Sequence, residues 1–154
     1  MAGPQRSTDQ YTVGRFRSHG SSTMRFEDGI LYYVTRGPFN LQLVQASELA
    51  LRDLLAEVQP QLPWGEIVVV EGSALLATEV LDALQRLIAA LARDGLAAVA
   101  TAMVAAPEVE GISITRKLVA RIYAADGRPF QYFEHEQDAQ AWIAGMLQGV
   151  QEKP

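Results

Sequence analysis

The pattern of apolar and polar positions begins with two strand-like segments, residues 22–27 and residues 30–35. Asp28 and Gly29 lie between them, and both residue types tolerate the positive φ angles of a two-residue hairpin turn. The pattern therefore predicts a β-hairpin. Residues 31–34 are apolar or aromatic at successive positions, which indicates either a strand covered on both faces or an edge that meets another subunit.

Helical and strand-like segments alternate after the hairpin. Residues 66–71 (EIVVVE), with four β-branched residues in the middle, and residues 97–105 (AAVATAMVA) are typical of strands buried on both faces. Residues 130–133 are predicted to form a short further strand. Apolar residues recur at helical spacing in the stretches between and after these strands. The predicted helices begin at Asn40, Thr78, Pro107 and Glu136 and end near Val58, Gly95, Gly127 and Val150. The first two of these starting residues are predicted N-caps.

The order of these elements predicts one α/β domain. A hairpin followed by alternating helices and strands is typical of helices packed on a mixed sheet. We expect a mixed, mostly parallel sheet of about five strands, with an N-terminal hairpin and four helices, within residues 22–150. Residues 1–21 are expected to form a flexible N-terminal arm, because residues 1–10 are small and polar. Within this arm, residues 11–17 alternate weakly and are a candidate extra edge strand.

Composition and charge narrow the classes of partner. Thirteen basic and eighteen acidic residues give a net charge of −5, which disfavours nucleic acid or an anionic membrane as the main partner. The chain has no cysteine, which excludes disulfides, thiolate nucleophiles and cysteine-ligated zinc. Residues 1–10 lack the apolar core of a secretory signal, and the sequence has no run of about 18 apolar residues for membrane insertion. A cytoplasmic location is the simplest expectation.

Three stretches give the chain a resemblance to a known family. They are DGILYYVTRGPFN at residues 28–40, IVVVEGSALLATEVL at residues 67–81 and FQYFEHEQDAQAWI at residues 130–143. On these stretches the chain resembles the STAS superfamily, the fold of the anti-sigma factor antagonists, and more closely a bacterial group of small STAS-like proteins. The resemblance covers residues 22–147. It implies a STAS-like α/β fold and a regulatory role in protein interaction.

The phosphorylation site of the antagonists is where the chain departs from the family pattern. In those antagonists a phosphorylatable Ser or Thr lies in an Asp-Ser-Ser-Gly-like turn at the start of a helix. The matching stretch here is Ala77-Thr78-Glu79-Val80, in which Ala77 replaces the aspartate and Val80 replaces the glycine. Depending on a one-residue shift, either Thr78 or Glu79 lies at the phosphoacceptor position. If the match is Glu79, the site carries a fixed charge and cannot be phosphorylated.

Loops at the carboxyl ends of the predicted parallel strands are the first place to expect a binding site, because ligands of open α/β sheets gather there. The polar candidates in these loops are Asn40, Glu71, Ser73, Thr78 and Glu79. Asn40 and Thr78 also fit the simpler role of helix caps. Glu71 follows an apolar strand, where a carboxylate is either desolvated and functional or directed into solvent.

Catalytic and metal-binding patterns are weak in this chain. The sequence lacks the motifs of serine hydrolases, P-loop proteins, dinucleotide-binding proteins and zinc metalloproteases, so we expect no enzyme and no cofactor. His19 and His135 are the only histidines, and the acidic residues around His135 lack the spacing of a calcium site. Arg116, Lys117 and Arg121 lie on the predicted third helix. They either receive a phosphate or an acidic partner, or form a solvated helix face.

Two functions are compatible with these patterns. The first is a non-catalytic, regulatory protein-interaction module that uses residues 71–79, with another protein or a second copy of the chain as its partner. The alternative is a carrier of a small apolar ligand or lipid, which the resemblance also implies because STAS-like folds are similar to CRAL-TRIO-type lipid binders. Its pocket is expected at the carboxyl ends of the strands, with Phe39, Met103, Tyr123 and Met146 as candidate lining residues. The same residues fit an ordinary packed core equally well.

Overall fold

The structure is a computed structural model that describes residues 3–11, 14, 19–61 and 63–151. Within these residues it has the predicted α/β architecture. It has the four helices that were expected, and six strands instead of about five. The strands are β1 (Gln5–Ser7), β2 (Ser21–Glu27), β3 (Ile30–Arg36), β4 (Gly65–Glu71), β5 (Thr101–Val104) and β6 (Phe130–Phe133). The helices are α1 (Leu41–Val58), α2 (Thr78–Arg93), α3 (Ile112–Ala125) and α4 (Glu136–Gln151), and a short 3-10 turn spans Thr8–Gln10. β5 is shorter than the predicted strand at residues 97–105.

The strands form one mixed sheet in chain order, from β1 to β6. β1, β2 and β3 pair antiparallel, whereas β3, β4, β5 and β6 pair parallel. Right-handed crossovers between parallel strands in sequential order place the connecting helices on one face of the sheet. α1, α2 and α3 cover that face, which we call the helix-layer face. α4 packs on the opposite face through Ala139 and Ile143.

The turn between β2 and β3 confirms the hairpin prediction. Asp28 has a φ of 52° and Gly29 a φ of 77°, the pair of positive angles that a type I′ turn requires. The register places Glu27 opposite Ile30. Because β3 lies between β2 and β4, residues 31–34 belong to an interior strand and not to a free edge.

The N-terminal segment differs from the expected flexible arm. Gln5–Ser7 forms β1 at the edge of the sheet. The next residue, Thr8, is 2% exposed, and its hydroxyl group forms hydrogen bonds with the backbone of Ser22. An edge strand therefore forms within the arm. The edge strand predicted at residues 11–17 falls largely outside the described residues, which omit 12, 13 and 15–18.

The starts of α1 and α2 test two predicted N-caps. Asn40 caps α1 as predicted, since its side chain accepts a hydrogen bond from the Leu43 N–H group. The prediction that Thr78 caps α2 is wrong. The N-cap is Ala77, which has no side chain able to accept a hydrogen bond, and Thr78 is already the first helical residue. A hydroxyl group one position inside the helix is misplaced for capping.

The start of α3 lies later than predicted. Pro107 lies in a turn, and the helix begins only at Ile112. The reason is pairing with a distant segment: Glu110 forms an isolated β-bridge with Ser73, and the Ala74 N–H group donates a hydrogen bond to the Glu110 carbonyl oxygen at 2.7 Å. This pairing holds the backbone before Ile112 beside the loop that follows β4, so the helix cannot start at the proline.

The face of the sheet beneath α4 is closely packed. Ile67, Ala102 and Ile143 are each fully buried there. Gly65 leaves the room that Ile143 occupies, because a Cβ atom at Gly65 would lie 2.4 Å from Ile143 Cγ2. This side of the molecule therefore has the close packing typical of protein interiors. The helix-layer face is packed less closely.

Candidate functional site

A cavity of about 150 Å³ lies on the helix-layer face, between the sheet and helices α1, α2 and α3. Most of its lining is apolar. From the sheet it is lined by Tyr33, Glu66, Val68, Val70, Thr101 and Met103. From the helices it is lined by Val44, Ser47, Leu84, Leu87, Thr115 and Tyr123, among others. The cavity extends along the strands from Glu66, near the amino-terminal end of β4, to Ala74 beyond the carboxyl end.

Helix α2 forms the roof of the cavity. Its Leu91 packs in the apolar cluster that contains α1, and its Ile88 packs in the cluster that contains α3. Leu84 and Leu87 line the cavity and are only partly buried. α2 therefore rests on its neighbouring helices and leaves space between its own leucines and the strands.

One carboxyl group lies in this apolar wall. Glu66 is on the helix-layer face of β4, beside Thr101 of β5 in the sheet register. Thr101 Oγ1 and Tyr123 Oη each donate a hydrogen bond to Glu66 Oε1 at 3.3 Å. Burial raises the pKa of Glu66, while the charge of Arg128 and the two hydrogen bonds oppose the rise. Glu66 lines the cavity and is partly exposed, with most of its neighbours in the cavity wall apolar.

A tyrosine forms a second polar feature of the same wall. Tyr33 Oη donates a hydrogen bond to Ser47 Oγ at 2.7 Å, which joins β3 to α1. Burial raises the pKa of the Tyr33 phenol. Burial, together with the charge of Glu66, raises the pKa of Tyr123 well above its usual value. Both phenols are therefore neutral hydrogen-bond donors at physiological pH.

Arg128 supplies a positive charge beside this polar wall. Its Nε donates a hydrogen bond to Asp126 Oδ2 at 2.7 Å, and its Nη2 donates one to the Ile88 carbonyl oxygen at 3.3 Å. Its guanidinium carbon lies 5.1 Å from the centre of the Tyr123 ring. Arg128 thus joins the roof helix α2 to the end of α3 and packs against the tyrosine that holds Glu66.

Two of the predicted binding residues have structural partners outside the cavity. Asn40 Oδ1 accepts hydrogen bonds from the N–H groups of Leu43 and His19, each at 3.0 Å. It therefore caps α1 and also holds the segment before β2. Ser73 Oγ donates a hydrogen bond to Glu110 Oε1 at 3.0 Å, which adds to the backbone pairing of these two residues.

The other three predicted binding residues are exposed. The Glu71 side chain is 50% exposed and lies 3.4 Å from Arg36 Nη1. Of the two roles considered for this carboxylate, desolvated or directed into solvent, the structure therefore shows the second. Thr78 and Glu79 are exposed in the first turn of α2. Although the structure brings the five predicted residues to the same end of the sheet, none of these five, all within the described residues, lines the cavity.

Three of the four residues predicted to line a ligand pocket do line this cavity. They are Phe39, Met103 and Tyr123. The fourth prediction, Met146, is wrong for this space, because α4 packs on the opposite face and Met146 lies in the cluster around Ile143. The expected position is also corrected. The cavity is not confined to the carboxyl ends of the strands but reaches their amino-terminal ends.

Sequence reasoning missed Glu66 and Tyr33. The strand sequence GEIVVVE carries an acidic residue near each end, and only Glu71 was considered. Because successive side chains of a strand point to opposite faces, Glu66 shares a face with Val68 and Val70, whereas Glu71 does not. This alternation in the sequence is the signal that could have identified Glu66. An acidic residue in phase with a buried apolar row indicates a carboxyl group inside the protein.

The remaining chemical candidates do not form a site. Among the described residues, no three or more histidine or acidic side chains are grouped so that they could hold a metal ion. Arg116 lies over the Tyr132 ring, with its guanidinium carbon 4.7 Å from the ring centre. Lys117 and Arg121 are exposed, which fits both a solvated helix face and a surface that receives a phosphate or an acidic partner.

Comparison of the chain with protein-family models, with curated proteins and with solved structures finds no match. The resemblance to the STAS superfamily therefore stays a prediction that rests on the three sequence stretches. Within the part of the chain that the structure describes, no helix combines the length and the apolar character needed to cross a membrane.

Proposed function

We propose that this protein binds a small, predominantly apolar molecule in the cavity beneath α2. The observation that supports the proposal is the space of about 150 Å³, lined mostly by apolar side chains, between the sheet and helices α1, α2 and α3. Apolar cavities of this size in other proteins stay free of water and accept guests such as benzene. Hydrophobic contact with the walls would supply the binding free energy, and the few polar groups would orient the guest.

The free-energy cost of an empty cavity supports the same proposal. At about 24 cal/mol per Å³, an unfilled space of about 150 Å³ costs the folded state at most about 3.6 kcal/mol, the value for a fully closed cavity. On the α4 side of the same sheet, by contrast, Ile67, Ala102 and Ile143 are fully buried. A bound ligand would restore the dispersion contacts that the walls lack.

A binding titration with a matched pair of variants tests the proposal. Val68 lines the cavity, whereas Val69 of the same strand packs on the α4 side. Indene, a bicyclic hydrocarbon, is expected to bind the wild-type protein with a Kd on the order of 0.1–1 mM by calorimetry. Val68→Phe should weaken binding at least tenfold, because its ring takes up about a third of the space that the ligand needs, and folded Val69→Phe should retain it. Equal binding by both variants, or none by the wild type, contradicts the proposal.

Mass spectrometry tests whether the protein carries a ligand from the cell. The freshly purified protein is measured first under native and then under denaturing conditions. An excess mass that disappears on denaturation, and that is absent from Val68→Phe prepared in the same way, would identify the ligand by its mass. An excess mass that Val68→Phe retains would place the carried molecule elsewhere.

A second candidate function is protein interaction, the role that the STAS resemblance implies. Leu75 is 51% exposed and Ile114 is 64% exposed. Both adjoin Gly111: a Cβ atom there would lie 2.5 Å from Leu75 Cδ2, and the Ile114 N–H group donates a hydrogen bond to the Gly111 carbonyl oxygen. An exposed apolar pair favours contact with an apolar side chain of a protein partner.

Affinity capture from native lysate tests this second candidate. A specific partner should be lost from Leu75→Asp, because the charge opposes burial of that surface, and from Glu79→Lys at the start of α2. Leu49→Asp is the matched control, since Leu49 is an exposed leucine of α1. A partner that all three variants retain would not use this surface. The expectation that the chain is not an enzyme stays a prediction.

A further inference from the structure

The hydroxyl groups of the cavity wall have few hydrogens left for a ligand. The hydroxyl hydrogens of Tyr33, Thr101, Thr115 and Tyr123 are all donated to acceptors within the protein. Thr35, also in the wall, shares a hydrogen bond with Ser22. Ser47 Oγ, also in the wall, accepts the hydrogen bond from Tyr33 and is not shown to donate one. Most of the hydroxyl groups in the wall therefore donate within the protein, and the wall offers a guest mainly acceptor atoms.

One acceptor atom in this wall lacks a protein partner. Both hydrogen bonds to Glu66 end on Oε1, and no described residue donates a hydrogen bond to Oε2. Among the described residues, no fully enclosed side-chain oxygen or nitrogen is left without a partner. Oε2 therefore keeps exposed surface, and the space that Glu66 lines is the cavity.

On the basis of the proposed function, we propose that the ligand is a small apolar molecule with one N–H or O–H group, which donates its hydrogen to Oε2 of Glu66. A carboxylate oxygen can accept more than one hydrogen bond, and leaving it unpaired in an apolar site is costly. A ligand with a donor removes that cost, whereas a hydrocarbon of the same shape does not. The rest of the ligand contacts apolar side chains such as Val68, Leu84 and Leu87.

Indole and indene test this preference, because they have nearly the same shape and only indole has an N–H donor. The ratio of their dissociation constants is measured by calorimetry at pH 8, which favours the ionised carboxylate. Glu66→Gln keeps an oxygen for Thr101 and Tyr123 but replaces Oε2 with an amide NH₂ group, which repels the indole N–H group. The preference for indole over indene should fall about tenfold in this variant. Glu71→Gln, the same change at the exposed end of β4, should leave the ratio unchanged.

The outcomes separate this inference from the proposed function. If both ligands bind and the ratio is the same in the wild type and in Glu66→Gln, the role of Oε2 is wrong and the cavity still binds ligands. If neither ligand binds the wild type, both proposals fail. Near-ultraviolet circular dichroism confirms that each variant is folded before it is titrated.

A measurement on the wild type alone decides the question if Glu66→Gln does not fold. Indole labelled with ¹⁵N is bound to the protein, and the N–H proton is observed by nuclear magnetic resonance. A hydrogen bond to a carboxylate should move this proton resonance downfield of its position for indole dissolved in a hydrocarbon. An N–H resonance at the hydrocarbon position would show that no acceptor contacts it and would overturn the inference.

Discussion

The substitution Val68→Phe tests whether the space beneath α2 is a true cavity. Val68 lies in the middle of β4, lines the cavity and is only partly buried. Phenylalanine adds a ring that points in the same direction as the valine side chain. In an open cavity the ring fills space and gains contacts. In a closely packed core it would push α2 or the sheet out of place.

The cavity volume sets the expected magnitude. The whole space of about 150 Å³ corresponds to at most about 3.6 kcal/mol of lost packing free energy. A phenylalanine ring fills about a third of it, so Val68→Phe should raise the free energy of unfolding by about 1 kcal/mol. Overpacking a core without a cavity instead lowers the free energy of unfolding by about 1–3 kcal/mol. The two cases differ in sign.

Urea unfolding followed by circular dichroism measures this difference. The slope of the transition should stay the same, so that a shift in the midpoint reports stability. Val69→Phe, on the closely packed α4 side, should lose about 1–3 kcal/mol. If Val68→Phe is destabilised as much as Val69→Phe, the space is not available to a side chain and the reasoning from the cavity is refuted.

Three further predictions concern Glu66, the cap of α1 and the contact beneath α4. Burial raises the pKa of Glu66 in the folded protein above its ordinary value of 4.5. The stability that the protonated form contributes is therefore complete below pH 4.5 and is lost as the pH rises through the folded pKa. Glu66→Gln is neutral at every pH, so its free energy of unfolding in urea, relative to that of the wild type, should increase from pH 4.5 to pH 8; a difference that stays the same at all pH values would contradict a raised pKa of Glu66. Asn40→Ala should lose about 1 kcal/mol because the Asn40 side chain caps α1, whereas Thr78→Ala should change little, and an equal loss would mean that Thr78 does cap. Gly65→Ala should cost about 1–3 kcal/mol through collision with Ile143, and this loss should shrink in an Ile143→Ala background unless the strain arises elsewhere.

The parts of the fold that local chemistry determines could be predicted from the sequence. Asp28 and Gly29 suit one turn type, and Asn40 precedes a long apolar helical stripe, so the hairpin and the start of α1 were predicted correctly. The last strand was also predicted at its observed residues, Phe130–Phe133. In each case the deciding interactions lie within a few residues of one another.

The features that depend on distant residues could not be predicted in the same way. The pairing of Ser73 with Glu110 delays α3, and the two residues are far apart in the chain. The cavity depends on how α2 rests on α1 and α3, which periodicity does not specify. Periodicity shows that a helix has an apolar face, but not whether that face touches the sheet or stands away from it. For the same reason Met146 was assigned to the wrong side of the sheet.

A crystal structure of the protein soaked with indole tests the central claim most directly. We expect density for the ring between α2 and the sheet, in contact with Val68, and with the indole nitrogen within hydrogen-bond distance of Glu66 Oε2. Wall side chains that close the space, or indole bound only elsewhere on the protein, would contradict the claim that this cavity is a ligand-binding site.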